Sequence, residues 1–265
     1  LGMAKNLGVE VIENGSTLKI TSSGLLTGNY LNCGESGLAM RMFAPIAAIQ
    51  NHKYQFVGEG SLRRRPVDMI GDALNQLGVK FSSTNGFLPF WITGPLKGGV
   101  VHVDGSISSQ LLSGLLMTLP TLQEDSEIKV VDLKSKPYIS LTLQLLESFG
   151  IEISNNGLET FCIKGRQSYK PIRYEVEGDW SGASFLMVAA ALCGNATVKG
   201  LNVDSLQADK SILDALKLAG TELEIYEDRI RVSKSNIQSF SFDATHCPDL
   251  FPPLVALAAY CNGVS

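Results

Sequence analysis

Four short stretches and one isolated arginine in this 265-residue chain combine residue types suited to holding an anion or moving a proton. Ser108-Ser109-Gln110 places two hydroxyls and an amide in one turn ahead of an apolar run. A helix starting there would expose free backbone N–H groups and the positive end of its dipole. Read alone, Ser108 is a helix cap, although two adjacent serines followed by Gln exceed what a cap needs. Arg63-Arg64-Arg65-Pro66 precedes a predicted helix over Val67 to Leu77. There Pro66 would fix the first turn and Arg65 would fork onto a phosphate or carboxylate, the alternative being a solvated basic face. Arg41 falls inside an apolar helix and so calls for an anionic partner, with Glu35 the candidate nearby. Ser135-Lys136-Pro137-Tyr138 is a strand-to-helix junction ending in a polar aromatic, or an ordinary turn and cap. His246-Cys247-Pro248-Asp249 opens another apolar helix, where Asp249 either caps the helix or aims a carboxylate into a ligand cleft. Asp179 and Ser181 read as caps, and His52 and His102 as surface or structural residues.

The elements that must position these groups recur. MAKNLGVEVIE, ALNQLGVKFSS, LLESFGIEIS and ALKLAGTELEI each read as an amphipathic helix, a glycine and an alternating strand. Their glycines, Gly8, Gly78, Gly150 and Gly220, lie 70, 72 and 70 residues apart, each at a left-handed helix stop. Between them runs a second series of turn-plus-apolar-helix segments aligned on Gly37, Ser109, Gly182 and Asp249, with steps of 72, 73 and 67. Short strands such as Ile128 to Val131, Thr160 to Ile163 and Ile230 to Val232 complete a duplicated unit of two helices and several strands. Because the second-series helices are apolar nearly all round, they are expected inside a domain, with strands outside them. The last reads as a helix over Leu254 to Tyr260 stopped by Asn262-Gly263, after which a strand would open. A short crossing at Arg173 to Gly178 is the candidate boundary, giving a first domain over 1–177 and part of a second over 178–265.

Composition narrows the class. With 45% hydrophobic and 18% charged residues and a net charge of −4, disorder, a fibrous repeat and nucleic acid as main partner are all disfavoured. The longest unbroken apolar stretch, Phe185 to Cys193, is far below the roughly 20 residues of a membrane-spanning helix. Cys33, Cys162, Cys193, Cys247 and Cys261 form no CxxC pair and have no metal-spaced partner, so neither zinc nor a disulfide framework is indicated and a reducing cytoplasm is expected. No GxxxxGK[ST] or strand-GxGxxG-helix signature is present, so nucleotide dependence is unsupported. No signal-peptide pattern stands at Leu1, and both ends look cut. From the residues alone, the chain is a repeated α/β protein whose helix starts and arginines converge on an anionic small molecule.

GESGLAMR, GEGSLRRRP, VDGSISSQLLSGLLMTLP, KSKPYISLTLQLLESFG, EGDWSGASFLMVAAAL and HCPDLFPPLVALAA resemble, in this order, the EPSP synthase family of enolpyruvyl transferases, over essentially all 265 residues. The resemblance implies a two-domain inside-out α/β barrel of repeated βαβαββ units, closing on its substrates. It implies an enzyme that moves the enolpyruvyl group of phosphoenolpyruvate to the 5-hydroxyl of shikimate 3-phosphate, with no cofactor and no metal. The wider expectations are the route to aromatic amino acids, glyphosate as inhibitor, a cytoplasmic monomer, and no nucleic-acid or membrane partner. Matched position by position, Ser108, Ser109, Gln110, Ser135 and Tyr138 are implied contacts of shikimate 3-phosphate, and Gly37, Arg65 and Gln110 of phosphoenolpyruvate. Asp249 is the implied carboxylate on the shikimate hydroxyls and the catalytic proton acceptor from the attacking one.

Two departures accompany the resemblance. Gly34-Glu35-Ser36-Gly37-Leu38-Ala39-Met40-Arg41 carries Glu35 and Leu38 where the family pattern has Asn and Thr, so a carboxylate stands where it would repel phosphoenolpyruvate or pair with Arg41. The family's PGSKS segment with its catalytic Lys belongs ahead of Leu1, and its Lys-Glu-x-x-Arg stretch after Ser265, so the chain alone is expected to be inactive. Two alternatives stand beside this reading. A UDP-N-acetylglucosamine enolpyruvyl transferase shares the fold but fits SSQ and SKPY poorly and lacks a candidate for its catalytic Cys loop. A non-catalytic ligand-binding protein of the same fold is slightly favoured by Glu35 and Leu38.

Overall fold

The four repeat glycines stop their helices in one and the same way. Gly8, Gly78, Gly150 and Gly220 have φ of 88, 81, 78 and 82°. At each, the glycine N–H donates to the carbonyl three residues back (Lys5, Asn75, Glu147, Lys217). The next N–H donates to the carbonyl five back (Ala4, Leu74, Leu146, Leu216), with N···O distances of 2.8–3.1 Å. This pair of bonds satisfies the last carbonyls of the helix and needs the left-handed backbone that glycine adopts without a Cβ clash. A strand begins two or three residues after each of these glycines.

The computed structural model describes residues 1–265 and divides into two compact units, Leu1–Leu133 with Thr142–Lys170, and Lys134–Leu141 with Pro171–Ser265. In the first unit α1 (Gly2–Asn6) precedes the hairpin β1 (Glu10–Asn14) and β2 (Thr17–Thr21). Then come β3 (Tyr30–Asn32), α2 (Gly37–Ala48), β4 (Lys53–Val57), α3 (Asp68–Gln76), β5 (Lys80–Thr84) and β6 (Phe87–Thr93). The order repeats as β7 (Val100–Asp104), α4 (Gln110–Thr118), β8 (Ser126–Val131), α5 (Lys136–Ser148), β9 (Ile153–Asn156) and β10 (Thr160–Ile163). The two four-stranded sheets have matching orders, β3-β4-β6-β5 and β7-β8-β10-β9, each with one parallel pair followed by antiparallel ones. In the second unit α6 (Trp180–Cys193), β11 (Asn195–Lys199), α7 (Ile212–Leu218), β12 (Glu222–Ile225) and β13 (Arg229–Ser233) form the sheet β11-β13-β12, and α8 (Phe251–Ala258) follows. The repeat read from the glycines is thus one sheet pattern used again.

In the first unit helices occupy the interior. Leu111, Leu112, Leu115 and Leu116 of α4 and Met40, Ala44, Ala47 and Ala48 of α2 are buried. Strands present one face to them: along β6, Leu88, Phe90 and Ile92 point inward, and the Phe90 ring stacks on Phe56 of β4 at 4.5 Å. Gly114 lets α2 and α4 approach closely, since a Cβ there would sit 2.9 Å from the Met42 Cα and 3.0 Å from its carbonyl oxygen. The helices run parallel: Arg41 meets Gln110 at their starts, and Ile46, Ile49, Met117 and Thr121 share the wall of an apolar cavity of about 400 Å³ near their ends. Buried Ser113 and Thr142 hydroxyls, 2.9 Å apart, tie α4 to α5.

The second unit packs α6, α7 and α8 on its sheet around Trp180, Met187, Ile212, Leu216, Ile230 and Leu257. Full burial of α6 does not follow, however: Phe185 and Leu186 are exposed, while α8, the sheet and the turns Ala208–Ser211 and Pro248–Leu250 pack against the helix within this unit. Two helix boundaries also differ from expectation. The last helix starts at Phe251 rather than Leu254 and ends at Ala258, because Pro252 and Pro253 fall in its first turn, where a missing N–H is tolerated. Val67 caps α3, so Pro66 precedes the helix instead of opening it, and the Val67 N–H is taken by the Gly86 carbonyl at 2.9 Å. No helix is long and apolar enough to cross a membrane.

Candidate functional site

In the first unit the start of α2 is built for close approach. Gly34, at φ 55°, turns the chain after β3, and Ser36 caps the helix by accepting the Ala39 N–H at 3.1 Å. Gly37 is the first helical residue and is buried. A Cβ on it would lie 2.7 Å from Arg41 Nη1 and 3.1 Å from Arg65 Nη1, so two guanidinium groups flank one glycine. Arg65 reaches this point from an extended backbone (φ −88°, ψ 130°), as a residue before proline should.

Arg41 is 7% exposed, its Nη1 donates to Gln110 Oε1 at 2.9 Å, and its Nε has no partner. Burial, then the charge of Arg65, holds its pKa below the usual arginine range. The expected pairing with Glu35 does not form. Glu35 instead turns to the next loop and accepts the Ser61 N–H at 3.3 Å, in space left by Gly60 at φ 52°. That loop offers an unpaired N–H at a left-handed turn, whereas reaching Arg41 would bury a second charge. Two guanidiniums and a helix N-terminus therefore face one point with no carboxylate bonded to either arginine, and an anion placed there would be favoured by all three.

Gln110 begins α4, and its N–H is accepted by the Ser108 hydroxyl at 3.2 Å, so the capping reading of Ser108 is realised through this turn. Ser109 is buried and holds the N-cap position with no side-chain cap bond. Gly37, Arg65 and Gln110 are brought together around Arg41, with Ser108 one bond behind.

In the second unit Ser135 has φ 53°, uncommon for serine, and its carbonyl accepts the Tyr138 N–H at 3.1 Å. The Tyr138 hydroxyl donates to Asp209 Oδ2 at 2.6 Å. Burial, followed by this bond to a carboxylate, pushes the phenol well above its ordinary value. Asp209 sits in the 3₁₀ turn Ala208–Ser211 ahead of α7 and is 2% exposed, with Oδ1 buried and unpaired. Burial raises its pKa, the Tyr138 bond lowers it, and the charges of Asp249 and Asp179 raise it further. Asp249 is exposed in the turn Pro248–Leu250 and makes no side-chain cap bond, which leaves its carboxylate available. Asp179 does cap α6, accepting the Ser181 N–H at 2.9 Å.

Gln207 sets the loop that carries Asp209: its Nε2 donates to the Gly178 carbonyl at 2.9 Å and its Oε1 accepts the Trp180 N–H at 3.0 Å. Asp209 was not foreseen, because an Asp just ahead of a helix reads as a cap and nothing local distinguishes a buried one. Ser135, Tyr138 and Asp249 all belong to this unit, and Gly37, Arg65, Ser108, Ser109 and Gln110 to the first. No three His, Cys, Asp or Glu side chains converge to hold a metal ion.

Comparison with known proteins gives this geometry a family. The family model described as EPSP synthase (3-phosphoshikimate 1-carboxyvinyltransferase) matches residues 1–265. The 3-phosphoshikimate 1-carboxyvinyltransferase of Clostridium acetobutylicum is 40% identical over 272 residues, covering 100% of this chain and 63% of the relative. That of Clostridium novyi is 37% identical over 273 residues, covering 98% and 63%. A solved EPSP synthase from Acinetobacter baumannii superposes with a TM-score of 0.73 at 22% identity, covering 98% of this chain and 62% of that one, and shares the inside-out α/β fold. The chain spans about three fifths of the length of the relatives it matches. With that family model matched from the first residue to the last, the chain belongs to the EPSP synthase (3-phosphoshikimate 1-carboxyvinyltransferase) family.

Proposed function

We infer that the protein serves transfer of the enolpyruvyl group of phosphoenolpyruvate to the 5-hydroxyl of shikimate 3-phosphate, with release of phosphate. The observation that carries this reading is the flanking of Gly37 by Arg41 and Arg65, a carboxylate-free cationic point on a chain whose whole length matches the EPSP synthase family. Gly37, Arg65 and Gln110 meet phosphoenolpyruvate, whose charged oxygens pair with the guanidinium of Arg65. Ser108, Ser109, Gln110, Ser135 and Tyr138 hold shikimate 3-phosphate. Asp249, exposed and in a turn, accepts the proton of the attacking hydroxyl. The cationic groups stabilise the charge that develops as the tetrahedral adduct forms.

In this reading no metal or organic cofactor takes part, the partners are the two small anions, and the protein works as a cytoplasmic monomer. Its residues 1–177 form one domain and 178–265 part of another. Calorimetric titration of the protein with shikimate 3-phosphate and, separately, with UDP-N-acetylglucosamine tests the substrate assignment. Saturable binding of the first alone is expected, and binding of the sugar nucleotide alone would overturn it. In the full-length gene product, Asp249→Ala is expected to lower phosphate release by about 10²–10⁴-fold with shikimate 3-phosphate binding retained. Unchanged turnover would remove Asp249 from the chemistry.

A further inference from the structure

Tyr138 has one hydroxyl proton, and in this structure that proton is committed to Asp209 Oδ2 at 2.6 Å. The phosphate of a phosphate monoester is, as a dianion, an acceptor only. For Tyr138 to hydrogen-bond it, the O–H must leave Asp209. Asp209 would then be a 2%-exposed carboxylate whose Oδ1 is already unpaired and whose Oδ2 has just lost its donor. A buried charge in that condition is far more costly than its neutral form.

Apart from its own backbone N–H, the groups around it give no relief. Asp179 at the start of α6 and Asp249 in the turn before α8 are negative, Cys247 beside Asp249 is a buried thiol, and Lys210 on the same turn is turned to the Val203 carbonyl at 3.0 Å. Burial and the two neighbouring carboxylates already bias Asp209 towards its neutral form.

We propose that Asp209 is a positioning residue that takes up a proton from solvent when a phosphate monoester engages Tyr138, so that ligand binding and protonation of Asp209 are one coupled event. The balance is simple. Before binding, Tyr138 O–H donates to the Asp209 carboxylate. Afterwards the same O–H donates to a phosphate oxygen, the neutral carboxyl of Asp209 donates its new O–H to the phenol oxygen, and one proton has left the buffer. The proposal rests on the assignment of Tyr138 to shikimate 3-phosphate. It adds that the contact is switched by a second residue, which reads the pH.

The test is titration calorimetry with shikimate 3-phosphate at pH 8 in buffers of different ionisation enthalpy, which counts protons taken up. At this pH the ligand's phosphate, with a second pKa of about 6, is already a dianion. Wild-type protein is expected to take up about one proton more per ligand bound than Asp209→Asn, whose amide N–H stands in permanently for the neutral carboxyl. Above pH 8 the apparent Kd of the wild type should rise about tenfold per pH unit relative to Asp209→Asn. Tyr138→Phe, which leaves Asp209 in place, is expected to bind more weakly and to lose the extra proton, and it serves if Asp209→Asn does not fold. Equal proton counts in wild type and variants, with Tyr138→Phe still weakened, would overturn the coupling while leaving the substrate assignment standing. Binding unchanged by Tyr138→Phe, or absent in the wild type, would overturn the assignment and the coupling with it.

Discussion

Arg41 Nη1 and Gln110 Oε1 lie 2.9 Å apart, which joins the second turn of α2 to the first residue of α4. It is the one hydrogen bond that the buried guanidinium makes to another side chain, and Arg41 Nε has no partner at all. Gln110→Ala should therefore destabilise the protein by about 1–3 kcal/mol, the range for a buried donor left unsatisfied. Urea unfolding checks this. Added inorganic phosphate should raise the Tm of the variant, because the orphaned cation then gains an anion. A variant as stable as wild type would mean that Arg41 finds another acceptor.

A methyl group at position 37 would press on both arginines, with Arg41 Nη1 only 2.7 Å from where it would sit. Gly37→Ala is expected to weaken phosphoenolpyruvate binding about tenfold, or about 1.4 kcal/mol, with shikimate 3-phosphate affinity little changed. Titrating the variant with each ligand separately reads the difference, and equal losses for both would place the effect in folding rather than in the site.

Gly114 faces backbone rather than a movable side chain: a methyl group there would meet the Met42 Cα at 2.9 Å and its carbonyl oxygen at 3.0 Å. Neither helix can yield without moving as a body. Gly114→Ala should lower stability by about 1–3 kcal/mol despite alanine's better helix propensity. Stability gained on the substitution would show that α2 and α4 have slack between them.

The raised carboxyl of Asp209 makes stability depend on pH with a definite sign. A carboxyl whose folded pKa exceeds its unfolded value, about 3.9, contributes stability that is fully present below the unfolded value. That contribution is lost as pH rises through the folded value. Measured in urea without ligand, the stability of wild type minus that of Asp209→Asn should fall as pH is raised above about 4 and level off past the folded pKa. A difference that grew with pH would mean that Tyr138 stabilises the charge more than burial opposes it.

How much of this is legible in the sequence follows the range of the interactions. The helix stops at Gly8, Gly78, Gly150 and Gly220 depend on a few consecutive residues, and the pattern carries them fully. Gly37 and Arg65 are legible as candidates, since a glycine helix start and an arginine before proline each have a local meaning. Their convergence on Arg41 is not, because Arg65 comes to Gly37 and Arg41 from at least 24 positions away in the chain. The Glu35–Arg41 pairing fails for the same reason: proximity in sequence ignores the loop at Gly60 and Ser61, which offers Glu35 a backbone donor. Asp209 escapes notice because the groups that act on it, Tyr138 of α5, Asp179 at the start of α6 and Asp249 in the turn before α8, come from separate parts of the chain. The last helix begins earlier than its apolar run suggests, because Pro252 and Pro253 read as breakers although a first turn accommodates them.

The parallel course of α2 and α4 has a consequence for how such a site arises. Each helix start carries about half a positive charge, and each belongs to a separate copy of the same sheet pattern. Copying the unit once therefore sets a second positive pole beside the first, with no change of sequence required. The anion-attracting character thus comes with the repeat itself, and Arg41, Arg65 and Gln110 add to it the side chains that can decide which anion is held.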